Sequence, residues 1–271
     1  MKTETAHNVT LPKIGFGAWK IGGDTQPRPE LDDRSLAALH SALAVGYTHF
    51  DTAEYYAKGH SEELIGRALR ERNVRREDVF ITSKVSPGHL SYNALLKACE
   101  NSLRNLGTDY IDLYLIHWPT PSMDLEEAFR AMNKLVSDKL VKNLGVSNFN
   151  LRQLKQSQKL SETPIITNQI PYSLGDRSYV KSGMVEYCQE NDILVTAYSP
   201  FEEGNLQSNP KLEAIAKEHN ATIHQIALAW LCMQPRVITI PMSYSLRHIQ
   251  ENFRAMDIEL TKTEMRQLNN L

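Results

Sequence analysis

What this 271-residue chain lacks already narrows its class. It has only three cysteines, Cys99, Cys188 and Cys232. An odd number so widely spaced does not make a disulfide framework. Each falls in a segment of helical apolar spacing, so buried reduced thiols are expected, a usage that suits a reducing cytoplasm. No apolar run reaches the ~18 residues of a membrane span, and the first thirteen residues carry no apolar signal segment. A cytoplasmic protein with no membrane partner is the expectation. Charge of one sign is also missing: 30 Lys and Arg face 32 Asp and Glu, spread evenly. Without a basic stripe or an aromatic platform, nucleic acid is not an expected partner. No cluster of His or Cys has metal-ligand spacing, so no metal is expected. The G-x-G-x-x-G and P-loop fingerprints are absent too, so any nucleotide must be held by another device. Nothing rich in Pro, Gly and Ser divides the chain, which reads as one domain over residues 1–271.

What is present is a repeating alternation. Short β-branched runs at 14–19, 49–53, 79–84, 111–118, 142–148, 165–170, 193–199 and 237–242 predict strands. Helical-period stretches separate most of them. Leu64, Ile65, Ala68 and Leu69 form one apolar stripe after Ser61, which reads as an N-cap. Leu95, Cys99, Leu103 and Leu106 form another, closed by Gly107. A third, from Ile223 to Leu231, is stopped by Pro235. Successive strands start about thirty residues apart, one βα unit, which leaves no room for hairpins between them. Eight such units predict an α/β fold, a (β/α)8 TIM barrel, over an open doubly wound sheet. The loop-like stretch 22–29 follows the first strand and belongs at the rim where the strands end.

The polar residues fall where a barrel would gather them. Asp51, Lys84, His117, Ser147 with Asn148, Asn168 with Gln169, and Tyr198 with Ser199 all stand at or near strand ends. Alone, a strand-end Asp is a helix cap, a Lys is solvated and a His is a satisfied core or surface group. Together at one rim they make a candidate active site.

These residues sit in phrases that resemble the aldo-keto reductase family along nearly the whole chain. FDTAEYY (50–56), DYIDLYLIHWP (109–119), GVSNF (145–149), NQIPYS (168–173), AYSP (197–200) and IPMS with the later EN (240–252) follow in that family's order. The resemblance implies reduction of a carbonyl, which takes a hydride at carbon and a proton at oxygen. It assigns the proton to Tyr56. A free phenol, with pKa near ~10, is a weak acid, and the Lys84 cation is expected to stabilise its phenolate. Asp51 would pair with Lys84 and meet the cofactor ribose, while His117 would orient the carbonyl oxygen. Ser147, Asn148 and Gln169 would hold the nicotinamide carboxamide, with Tyr198 stacked on the ring. Ser199 and Phe201 would follow the pyrophosphate, and Glu251 and Asn252 would read the adenine. Trp19, which also borders the cofactor, and Trp118 would wall the substrate pocket.

Two departures from the family pattern bear on the cofactor. Where the family often has a Lys after Ile-Pro and a basic residue six further on, this chain has Met242 and His248. Methionine cannot pair with the adenosine 2′-phosphate of NADPH, and a neutral imidazole offers one donor at best. Ser243 and Tyr244 offer hydroxyls, and Arg247 stands one residue early. NADPH or NADH, or both, are therefore expected. The phrase SPFEEGN (199–205) suggests an acidic loop over the pyrophosphate. The chain also stops soon after a helix at 261–270, without a long C-terminal loop, so an open pocket for small aldehydes and ketones is expected.

The leading expectation is an NAD(P)H-dependent oxidoreductase acting on small carbonyls, as a monomer or weak oligomer. A nucleotide-binding regulatory or sensor subunit is the alternative, and a barrel isomerase or aldolase a third.

Overall fold

The structure, a computed structural model, describes residues 1–271 apart from the side chain of Glu203. Eight parallel strands, β3 (Phe16–Gly17), β4 (His49–Asp51), β5 (Phe80–Val85), β6 (Ile111–Ile116), β7 (Val141–Ser147), β8 (Ile165–Pro171), β9 (Leu194–Tyr198) and β10 (Val237–Thr239), pair in chain order. A parallel bridge between Ile14 and Thr239 joins the last strand to the approach of the first. Gly15 donates its N–H to the Thr239 carbonyl and Thr239 returns one to Lys13. This is the (β/α)8 barrel that the alternation predicts.

Helices α1 (Asp32–Val45), α2 (His60–Glu71), α3 (Tyr92–Leu106), α4 (Leu125–Ser137), α5 (Leu151–Leu160), α6 (Ser178–Lys181), α7 (Met184–Glu190), α8 (Pro210–Glu218), α9 (Ile223–Cys232), α10 (Leu246–Arg254) and α11 (Lys262–Asn269) complete the chain. Their apolar stripes pack on the outer faces of the strands. In α3, Leu95, Cys99, Leu103 and Leu106 are buried, and Gly107 ends the helix at φ +65°. Cys188 and Cys232 are buried and unpaired like Cys99.

The interior of the barrel is a separate small core of Leu113, Leu115, Ile166, Leu194 and Ile238, joined by Ala6 and Leu11. Period-2 alternation explains the division, since Leu113 and Leu115 face inward while Tyr114 and Ile116 face the helices. Each fully buried Leu or Ile contributes roughly 1.5–3 kcal/mol.

Two expectations need correction. Ala6 and Leu11 come from an antiparallel hairpin, β1 (Thr3–Ala6) and β2 (Val9–Pro12), ahead of the first barrel strand. Its turn residues His7 and Asn8 are both left-handed, at φ 45° and 69°, as a tight two-residue turn requires. The hairpin closes the end of the barrel where the strands begin, with Lys13 bonded to Glu4 and to the carbonyl of Val237 at the start of β10. Ser61, in turn, does not cap α2. It lies inside the helix, donating to the Ala18 carbonyl and accepting from Thr52, so it ties the helix to the rim instead.

Candidate active site

The same alternation puts His49 and Asp51 on the inner face of β4, and Thr82 and Lys84 on the inner face of β5. His49 and Thr82 bond to each other at 3.0 Å lower in the barrel. Above them Lys84 donates to Asp51 Oδ1 at 2.5 Å, to the Thr52 carbonyl at 2.8 Å and to Tyr56 Oη at 3.2 Å. Three acceptors satisfy the ammonium completely. The other carboxylate oxygen of Asp51 accepts from Gln169 Nε2 at 2.7 Å. Lys84 is 0 % and Asp51 1 % exposed, so the pair is stabilised by its own bonds and not by water. Tyr56 stands on the turn after β4, with its ring edge-on to His117, centroids 5.6 Å apart.

Burial opposes the charge of Lys84, but Asp51 and Tyr56 outweigh it and raise its pKa, so the ammonium persists. For Tyr56 the balance runs the other way. Burial raises the pKa of the phenol, and the neighbouring cation offsets that only in part. Lys84 therefore favours the phenolate, as expected, while burial raises the pKa of the phenol by more than the cation lowers it. Burial, then the Lys84 charge, push the His117 imidazole down to about 2. That group is neutral at any working pH. Its Nδ1 is buried without a partner among the described residues. A buried N–H left unpaired costs more than a bare ring nitrogen, which favours the tautomer with the proton on Nε2.

Across the cavity, the ends of β7, β8 and β9 form one hydrogen-bonded chain. Ser147 Oγ donates to the Gln169 carbonyl, Asn148 Nδ2 donates to Ser147 Oγ and to the His117 carbonyl, and Tyr198 Oη donates to Asn148 Oδ1 at 2.8 Å. Asn148 and Ser199 adopt left-handed φ of 61° and 49°, turning the chain outward at the rim. Asn168 belongs elsewhere: its side chain binds the Phe149 backbone and Met184.

The cavity over these groups holds about 550 Å³. Asp51, Tyr56 and His117 form its floor, Ser147, Asn148, Gln169, Tyr198 and Ser199 one wall, and Trp19, Trp118, Phe201 and Met242 the rest. Tyr55 also lines it, and the sequence reading missed it. Its ring lies nearly parallel to Trp19 and meets Trp118 edge-on at 5.2 Å. The doubled tyrosine of FDTAEYY was the available signal, since neighbours on one turn can both reach the mouth. Lys20, Pro200 and Ile240 were likewise unassigned lining residues. A second hollow, about 490 Å³ between α8 and α11, holds none of these groups.

A sequence model of the aldo/keto reductase family matches residues 13–271. The chain belongs to that family. Among its relatives, methylglyoxal reductase YeaE of Escherichia coli K12 is 35% identical over 268 residues, covering 97% of this chain and 91% of that protein. Glyoxal reductase of Bacillus subtilis is 34% identical over 270 residues, with 99% and 92% covered. A crystal structure of the thermostable aldo-keto reductase Tm1743 with the inhibitor epalrestat superposes with a TM-score of 0.96 at 44% identity, covering 100% and 99% of the two chains. An aldo-keto reductase from Klebsiella pneumoniae in complex with NADPH gives 0.88 at 34%, covering 100% and 95%. Membership carries the general activity of aldo/keto reductases, NAD(P)H-dependent carbonyl reduction.

At the position where this reductase departs from its family, α10 presents an exposed pair. Arg247 Nη2 donates to His248 Nε2 at 3.0 Å, and Arg247 Nε lies 3.7 Å from Glu251. Ser243 accepts from the Ser245 N–H. Tyr244 donates to the Lys20 carbonyl beneath the Arg34 guanidinium, so its hydroxyl is committed to the rim loop. Asn252 is buried. Ser243, His248, Glu251 and Asn252 lie outside the lining of the main cavity. His224 of α9 joins this end unpredicted, its ring edge-on to Phe201 at 4.9 Å. Burial and the nearby His248 lower its pKa. In the expected acidic loop, Glu202 turns to Ser173 and the Gly175 N–H, while the side chain of Glu203 is outside the described residues.

Proposed function

We propose that the protein reduces small aldehydes and ketones to alcohols, reversibly, with NADPH or NADH, and that Tyr56 gives the proton. One observation carries this reading: a fully buried Lys84 touches both Asp51 and Tyr56 at the floor of an aromatic-walled cavity. The wall opposite fits a nicotinamide by the chemistry of its donors, a hydroxyl, two primary amides and one tyrosine ring on the same side. Gln169 spends its amide nitrogen on Asp51 and keeps its oxygen for a carboxamide N–H. When bound, the nicotinamide supplies the hydride.

The protein's own part is to orient and protonate. Neutral His117 donates from Nε2 to the carbonyl oxygen and holds it against Tyr56. The phenol O–H passes its proton to that oxygen as negative charge builds there, leaving a phenolate 3.2 Å from the Lys84 ammonium. Asp51 keeps the ammonium in place, and solvent at the open mouth restores the phenol proton. That YeaE is a methylglyoxal reductase and its Bacillus relative a glyoxal reductase supports short dicarbonyls as first substrates.

Loss of NAD(P)H absorbance with methylglyoxal and with a small aromatic aldehyde tests the reading. Tyr56→Phe is expected to lower kcat by about 10²–10⁴ while cofactor binding, followed by fluorescence, stays near normal. Wild-type rates in that variant would remove Tyr56 from the role. Cofactor binding with no absorbance loss in the wild type would indicate a nucleotide-binding subunit instead.

A further inference from the structure

Directly after Tyr56 the chain makes a turn that few sequences adopt. Ala57, Lys58 and Gly59 are all left-handed, with φ of 47°, 54° and 90°. Two of them are not glycine, so their neighbours must hold the conformation. Three contacts do so. The Ala57 N–H donates to the Asp24 carbonyl at 2.7 Å, tying the turn to the loop that follows Trp19. Gly59 packs so closely on Asn105 of α3 that an added Cβ would lie 2.4 Å from its amide nitrogen. The third is His60, the first residue of α2. Its Nε2 bonds to Asp32 Oδ1 of α1 and its Nδ1 to Glu63 Oε2, both at 2.8 Å. Gly22 lies against the same imidazole, where a Cβ would come within 2.8 Å of Cδ2.

His60 therefore touches α1, its own helix and the loop leading from Trp19, at the end of the turn that carries Tyr56. We propose that His60 is a positioning residue for Tyr56: as a bridge between Asp32 and Glu63 it locks the left-handed turn, and with it the phenol, against the loop that carries Trp19. This rests on the reading of Tyr56 as proton donor. A carboxylate on each ring nitrogen requires both nitrogens to donate, which only the protonated imidazole does. Burial opposes that charge, but Glu63 and Asp32 together overcome it and raise the pKa. The charged groups that face the ring are these two carboxylates. Arg67, about two turns further along α2, is held by Glu71, and Gly22 on the loop side brings no charge. Because the folded pKa is raised, the bridge is complete below the ordinary histidine value near ~6.5 and is lost as pH rises through the raised one.

The test compares wild type with His60→Gln, which retains one donor and similar bulk, and with the double variant Asp32→Asn/Glu63→Gln, which leaves the ring. Each is assayed for kcat, KM and NADPH dissociation constant from pH 5.5 to 9, with circular dichroism to confirm folding. Both variants are expected to lower kcat about tenfold at pH 6, as a displaced reacting group does, with the NADPH constant within about twofold. Wild-type kcat should decline toward the variants' value as pH rises, whereas the variants should lack that decline. Unchanged kcat in folded His60→Gln overturns the proposal, as does a wild-type profile shared by both variants. If wild type itself reduces no carbonyl while binding NADPH, the proposed function has failed, and the comparison of variants is not reached.

Discussion

At the floor of the cavity, Lys84 is bonded on three sides, Asp51 accepts on both oxygens, and neither is exposed to water. Along α10, by contrast, the Arg247 side chain is 75% exposed and, among the described residues, its polar contacts are His248 and Glu251, the latter at 3.7 Å. The two regions show two ways of handling charge. Buried charge is tolerable only where every bond is made, so the floor allows little variation without loss of the fold. Exposed charge interacts weakly through water, so the α10 end can exchange a lysine for Met242 at little cost to the fold. The proposed function assigns the proton chemistry to the rigid region, and we propose that cofactor preference is set in the permissive one.

The largest effect should follow from breaking the floor. Lys84→Met leaves Asp51 buried with no cation and the Tyr56 phenolate unsupported. Losing one partner of a buried ion pair costs about 3–5 kcal/mol of stability, visible as a lower urea midpoint. Turnover by the folded fraction should drop by about 10²–10⁴. A variant of unchanged stability would mean that Asp51 is protonated or hydrated at this floor, and the contrast with α10 would dissolve.

The same contrast explains what was legible in the sequence. The barrel could be read because eight apolar runs and their helical stripes repeat one unit, and burial enforces that pattern residue by residue. Asp51, Lys84 and His117 each have an ordinary explanation alone, and could be read only together, because a barrel brings its strand ends to one rim. Tyr56 needed the family phrase, since a tyrosine after a strand carries no pattern of its own. The opening hairpin was missed because two four-residue strands with a His7–Asn8 turn leave too short a signal. Ser61 misled because a serine ahead of an apolar stripe looks the same whether it caps a helix or bonds to a distant carbonyl. His60 and His224 were invisible, because their partners Asp32 and Phe201 lie 28 and 23 positions away and only the folded chain brings them together.

A smaller effect is expected at the α10 end. Met242→Lys places an ammonium beside Ser243 and should tighten NADPH about five- to tenfold while leaving NADH unchanged, as one exposed charged contact is worth about 1 kcal/mol. Arg247→Ala should weaken NADPH by a similar factor if that guanidinium already serves the 2′-phosphate. Parallel titrations of both cofactors measure the two ratios. Should neither substitution move the NADPH to NADH ratio, discrimination lies elsewhere, and His224 beside Phe201 becomes the next position to change.

The smallest effect concerns the mouth, where the rigid floor gives way to the open rim. Tyr55 is 39% exposed, yet it is fixed by Trp19 on one side and by Trp118 on the other. Its ring meets His117 edge-on at 6.1 Å but makes no hydrogen bond to Tyr56, Lys84 or Asp51 among the described residues, so Tyr55→Ala should leave the intrinsic chemistry largely intact. An aromatic pair contributes about 0.5–1.5 kcal/mol beyond its buried area, so losing that wall should raise KM for an aryl aldehyde by roughly two- to tenfold. Methylglyoxal, too small to lie across the ring, should be turned over with nearly unchanged KM. Steady-state assays of both substrates in the same preparation measure the split. Equal losses for the two would show that Tyr55 supports the turn of Tyr56 rather than walling the pocket, and the boundary between rigid floor and permissive rim would then run outside Tyr55.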